Sequence, residues 1–204
     1  LRAFSCGRLN VVKGHQDLMQ AVRLLIDQGQ PVQLEIAGED DAGGSGFRGE
    51  LQQRVVELGL EDHVTLLGAI SAEAVHEKLM AAHVFVLASW SEPLGVAYME
   101  AMSCEVPTVG TDAGGVPELI TNGKDGVLVP PKDPKALAVV LTHLANNPES
   151  AVTLAQAGRA RVVAALTGEP PLDCSATERD RAASAGSLIC TVARYCRPPP
   201  GGVP

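Results

Sequence analysis

The stretch from Ser89 to Thr111, SWSEPLGVAYMEAMSCEVPTVGT, constrains this chain more than any other. It follows an apolar run, Val84 to Ala88, that shows no alternation, as expected of a strand covered on both faces. Pro93 and Gly95 then break the chain, a helical stretch is expected from about Val96 to Cys104, and a second apolar run, Val106 to Val109, follows. Strand, turn, helix and strand in this order make a βαβ unit. In such units the loop at the strand's carboxyl end and the following helix N-terminus form a binding edge. Two glutamates, Glu92 and Glu100, lie on that edge.

The same alternation runs through most of the 204 residues. Strands are expected at Ala3–Cys6, Val32–Ala37, Val64–Leu67, Val84–Ala88, Val106–Val109 and Gly126–Val129. Helices are expected at His15–Gln28, Leu51–Leu58, Ser71–Ala82 (with Ser71 as N-cap), Val96–Cys104, from Asp133, which caps it, to about Ala145, and from about Pro148 to Ala165. Short connections between alternating elements predict a doubly wound parallel α/β sheet over residues 1–165. Its special loops sit where strands end and helices begin, so the Arg8/Lys13, Glu92 and Gly114/Gly115 loops are expected to converge.

Two phosphate-binding patterns fail on inspection. Gly7 to Gly14, GRLNVVKG, is no P-loop, because Lys13 has neither a Gly before it nor a Ser or Thr after it. It still places two cations, Arg8 and Lys13, on one loop, where a planar fork and a point charge suit a diphosphate. Gly44, Gly46 and Gly49 match the dinucleotide spacing, but Glu39, Asp40 and Asp41 precede them and would repel a pyrophosphate. A loop before a helix is the expected structure there.

Composition excludes some partners. A net charge of −8 and a pI near 5.1 argue against a nucleic-acid or anionic-membrane surface. No apolar run reaches the ~18 residues of a membrane span. The five cysteines form no C-x-x-C pair, and Cys6 and Cys104 read as small buried hydrophobes of a reducing compartment. The five histidines are scattered singly and read as surface or helix-end residues. Residues 166–204 hold six of the fourteen prolines and no sustained apolar period, so a disordered or non-native tail is expected there. Leu1 begins inside a strand pattern, which suggests that a native N-terminus is missing.

Taken together, GRLNVVKG at 7–14, LEIAGE at 34–39, VTLLGAIS at 64–71 and the long segment 81–133 resemble the C-terminal donor-binding domain of a GT-B fold glycosyltransferase. The resemblance is to the retaining family known as glycosyltransferase group 1, or family 4, and it covers about residues 3–160. Glu92 and Glu100 stand in that family's E-x7-E spacing. The resemblance implies that Arg8 and Lys13 hold a nucleoside diphosphate sugar and offset charge on the leaving diphosphate, beside Gly7. It implies that Glu92 contacts sugar hydroxyls, with backbone N–H groups of Leu94, Gly95 and Val96 facing sugar and phosphates. Glu100 would bind the ribose, and the turn Gly68–Ala69–Ile70 would border the base. No cofactor and no divalent metal is implied.

The spacing agrees with that division. Eight helical residues rise about 12 Å, while glycosidase carboxylates stand ~5–9.5 Å apart across one bond. Two parts of one ligand are therefore better spanned than one glycosidic bond. The fold implied has a second, N-terminal domain that binds the acceptor and is absent here, so the chain alone is expected to be inactive. A cytoplasmic enzyme, peripheral to a membrane through the absent domain, is the implied setting. A non-catalytic nucleotide- or sugar-binding module and another GT-B enzyme, such as a sugar-nucleotide epimerase, are the alternatives.

Overall fold

The computed structural model describes residues 1–40 and 46–167. Six strands, β1 (Arg2–Cys6), β2 (Gln33–Ala37), β3 (Val64–Gly68), β4 (Val84–Val86), β5 (Thr108–Thr111) and β6 (Val127–Val129), form one sheet in the order β3-β2-β1-β4-β5-β6. Every pairing is parallel. The order reverses between β1 and β4, and a crevice opens at such a switch point, outside the strand ends. The seven helices described are α1 (His15–Asp27), α2 (Phe47–Glu57), α3 (Ala72–Ala81), α4 (Val96–Ser103), α5 (Val116–Leu119), α6 (Pro134–Asn146) and α7 (Pro148–Thr167).

Strand periodicity sorts the core into two layers. Ala3, Leu34, Ile36, Val84 and Val86 point to the side of α1, where Leu18, Val22 and Leu25 pack, along with Leu137 and Leu141 of α6. Phe4, Phe85 and Leu87 point to the other side, against Tyr98, Ala101 and Met102 of α4 and Val162 of α7. Three of the chain's few aromatic rings stack here edge to face. Phe4 and Phe85 stand 6.3 Å apart, and Phe85 and Tyr98 5.9 Å. The Tyr98 hydroxyl donates to the Leu87 carbonyl at 2.7 Å, so its one polar atom is satisfied although the side chain is fully buried.

Boundaries differ from expectation where side chains or prolines intervene. Strand β5 starts two residues late. Val106 N–H still donates to Ala101 at the end of α4, and Pro107 has no N–H to give the ladder. Helix α2 starts four residues early, because the Asp40 carboxylate accepts from the N–H groups of Gly46 and Arg48 and caps it. Its Phe47, Leu51 and Val55 stripe is buried, and Gly49 had masked the period. Part of the Asp112–Glu118 loop closes into the one-turn α5. The caps Ser71 and Asp133 are as expected, each accepting a main-chain N–H three residues on. Residues 41–45 and 168–204, which include most of the expected loop and tail, lie outside the described residues.

Candidate functional site

Three loops from the carboxyl edge of the sheet meet at one place, as their positions after β1, β4 and β5 require. The first runs from Gly7 to Gly14. A 3-10 turn at Val11–Lys13 ends at Gly14, whose φ is +67°. A Cβ built on Gly14 would lie 1.8 Å from the Ala88 carbonyl oxygen, so this loop lies directly on the end of β4. The third loop does the same from the other side. Gly114, at φ +63°, leaves no room for a Cβ beside the Glu92 backbone, and the Gly115 N–H donates to the Glu92 carbonyl at 2.8 Å.

The middle loop carries Glu92, which is buried. Its carboxylate forms an ion pair with the Lys13 ammonium, from a position 79 residues away in sequence. Both side chains are under a fifth exposed, 17% for Lys13 and 12% for Glu92. The other carboxylate oxygen accepts from the Gly95 N–H at 3.4 Å, a long contact at the start of α4. Glu92 also faces Tyr98. Burial first, and then this carboxylate, push the Tyr98 phenol well above its usual range. Arg8 is exposed on the same loop as Lys13, and Gly7 is held by its N–H to the Ala37 carbonyl at 3.0 Å.

Glu100 belongs to a different neighbourhood. It is half-buried in the second turn of α4, and desolvation raises its pKa. Cys6, at the end of β1, is pushed up to about 11, by burial first and then by the Glu100 charge. The two glutamates thus serve separate surroundings, one cationic and one under the end of β1. Gly68 lies beside β2, with its carbonyl accepting from the Gly38 N–H at 2.9 Å; Ala69 is exposed and Ile70 half-buried just beyond it. Leu94 is exposed, Gly95 is buried as the N-cap of α4, and Val96 opens that helix.

Four residues escaped the sequence reading. His15 is not a surface histidine. It is fully buried, and burial, followed by the Lys13 charge, lowers its pKa to about 4 against an opposing contact with the Arg8 backbone. Asp17 is a buried acid in the first turn of α1. Tyr98 is a fully buried phenol of α4 within electrostatic reach of Glu92. Trp90 donates its indole N–H to Asp17 at 2.6 Å. A lone tryptophan two residues before Glu92 was the available signal for this last one. Among the described residues no group of three His, Cys, Asp or Glu side chains stands placed to hold a metal ion.

The arrangement can bind an extended anionic ligand with hydroxyls. The Lys13 ammonium and the N-terminus of α4 meet the Glu92 carboxylate, Arg8 lies on the Lys13 loop, and a second carboxylate, Glu100, lies farther along α4. Comparison with known proteins places the fold in a family. The amylovoran biosynthesis glycosyltransferase AmsK of Erwinia amylovora is 33% identical over 168 residues, which are 79% of this chain and 40% of that protein. The crystal structure of HepE from Anabaena, in complex with UDP-glucose, aligns with a TM-score of 0.74 at 28% identity, over 79% of this chain and 43% of that one. The C-terminal domain of a glycosyl transferase group 1 family protein (LpcC) from Francisella tularensis aligns at 0.70 and 26% identity, over 79% of this chain and 84% of that one. The chain thus spans about two fifths of the full-length relative from Erwinia. The sequence profile of the family "Glycosyl transferases group 1" matches residues 2–161, and the chain belongs to that family.

Proposed function

We propose that this chain is the donor-binding half of a retaining glycosyltransferase, which moves a hexosyl group from a nucleoside diphosphate sugar to an acceptor held by a further, N-terminal domain. The observation that carries this reading is the meeting of Lys13 with Glu92 across two loops, on the loop that also bears Arg8. Arg8 and Lys13, beside Gly7, bind the diphosphate. Backbone N–H groups at Leu94, Gly95 and Val96 face the phosphates and sugar. Glu92 accepts hydrogen bonds from sugar hydroxyls, Glu100 from the ribose, and the turn Gly68–Ala69–Ile70 borders the base.

Lys13 is paired with Glu92. A bound diphosphate competes for the ammonium, which frees the carboxylate for the sugar. When the bond between the anomeric carbon and the diphosphate oxygen breaks, negative charge grows on the departing phosphate. Arg8, Lys13 and the positive end of α4 are aimed where that charge develops, which is electrostatic catalysis. These fixed charges do the work that a divalent cation would otherwise do, so the reading needs no metal. With the acceptor domain elsewhere, the chain alone binds donor without transferring it. A cytoplasmic setting, approached to a membrane through the other domain, goes with this reading; no helix among the described residues is long and apolar enough to cross a membrane.

Shift mapping by NMR tests the placement. UDP should move the amide resonances of Gly7, Gly68, Gly95 and Val96 together. Shifts confined to the opposite, amino-terminal edge of the sheet would overturn it.

A further inference from the structure

Trp90 is the chain's one tryptophan. Its main-chain N–H donates to the Val12 carbonyl at 2.7 Å, and its indole N–H to the Asp17 carboxylate at 2.6 Å. Val12 and Asp17 bracket Lys13 and Gly14 in sequence, and Trp90 stands two residues before Glu92. One residue therefore ties the first pocket loop to the second at two points. The indole bond is charge-assisted, and indole N–H is a donor only, so the pairing with a carboxylate is directional. Asp17 is well placed as the acceptor, being buried in the first turn of α1 where the helix dipole favours an anion. A third segment closes over the ring. Lys132, before α6, sets its ammonium 4.2 Å from the ring centroid, from a left-handed backbone at φ 60° that a lysine rarely adopts.

A tryptophan that only filled space would need none of these polar partners. We infer that Trp90 is a positioning residue of the donor pocket. Its two hydrogen bonds hold the loop of Arg8 and Lys13 against the loop of Glu92, and so set the gap between cation and carboxylate that a diphosphate sugar must span. This rests on the donor-binding reading above.

Two readouts on the whole chain test it, hydrogen exchange without ligand and calorimetric titration with UDP. Trp90→Phe keeps an aromatic ring and removes the indole N–H. Exchange should quicken in both 8–17 and 89–95 and stay unchanged in β2 and β3. UDP affinity should fall about tenfold, the scale of one charge-assisted hydrogen bond. Asp17→Ala should do the same, while Asp17→Asn, which keeps an acceptor for the indole, should lose less than about threefold. In a Lys13→Ala background, Trp90→Phe should add under about twofold, since it acts through Lys13. Quickened exchange confined to 89–95, or a Trp90→Phe loss that simply multiplies with Lys13→Ala, would overturn the inference. Failure of the unaltered chain to bind UDP would count against the donor-site reading; the exchange pattern alone would then uphold or overturn the tie.

Discussion

The two edges of the sheet use the same residue types to opposite ends. Gly14, at the carboxyl edge, lies against the Ala88 carbonyl, and Gly114 against the Glu92 backbone. Gly29 and Gly59, at the amino edge, also have positive φ, yet nothing lies within 4 Å of where their Cβ would be. The first pair lets loops converge; the second only ends α1 and α2. Concavity is divided likewise. The amino edge holds an apolar groove of about 490 Å³, lined by Leu1, Leu144, Ala151 and Val152 among others. The carboxyl edge holds the part-buried Lys13–Glu92 pair. The groove's lining is mostly apolar, with His83 and Glu105 among it, whereas the edge with close-packed glycines pairs Lys13 with Glu92.

The largest contrast is expected in ligand binding. Arg8→Ala and Lys13→Ala should each weaken UDP binding by at least about tenfold, the scale of a lost charge-assisted contact. Val152→Ser in the amino-edge groove should leave affinity unchanged. Titration calorimetry on the three variants reads the difference, and an equal loss in all three would erase it.

Next comes stability. Lys13→Met strands the buried Glu92 carboxylate and should cost about 2–4 kcal/mol, less than a fully buried pair because some solvent reaches both groups. Arg23→Met breaks the Arg23–Asp27 pair on α1, where Asp27 is 58% exposed, and should cost under about 1 kcal/mol. Urea unfolding at neutral pH compares them; equal costs would show that the Glu92 surroundings are already well solvated.

Acid should act through His15. Its folded pKa, about 4, lies below the ordinary 6.5, so the unfolded chain binds more protons between those values. The contribution is fully present above pH 6.5 and is lost as pH falls toward 4, on the order of 3 kcal/mol at most. His15→Leu should flatten unfolding free energy between pH 6.5 and 4.5; an unchanged slope would place the proton uptake elsewhere.

Glycine itself gives the next contrast. Gly14→Ala should cost over about 2 kcal/mol through its clash with Ala88, and Gly29→Ala about 1 kcal/mol through left-handed strain alone. The smallest effect is a gain at the amino edge. Glu105 ends α4 at φ 57°, where glycine would be unstrained, so Glu105→Gly should raise stability by about 0.5–1 kcal/mol. Thermal unfolding orders all three.

Much of this was legible in the sequence, because periodicity and punctuation are local. The apolar run from Val84 and the Pro93/Gly95 break read directly as strand and turn, although β4 ends at Val86 rather than Ala88, and the caps Ser71 and Asp133 announced α3 and α6. Boundaries slipped where a distant or neighbouring side chain took over, as Asp40 does for α2. The Lys13–Glu92 pair could be expected only as loops sharing an edge, since no local pattern joins residues 79 apart. His15 does stand at a helix end, but its burial was not legible, because burial is a property of packing and a histidine at a helix start looks the same whether solvent or a loop covers it. Gly14 and Gly29 were indistinguishable for the same reason.

The most direct test is calorimetric titration of the chain, without metal, with UDP, GDP and ADP and their glucose and mannose conjugates, repeated with Arg8→Ala, Lys13→Ala and Glu100→Ala. One nucleoside diphosphate should bind, and all three substitutions should weaken it. A folded chain that binds none of them, or binds one equally well after all three substitutions, would contradict a donor pocket at the carboxyl edge.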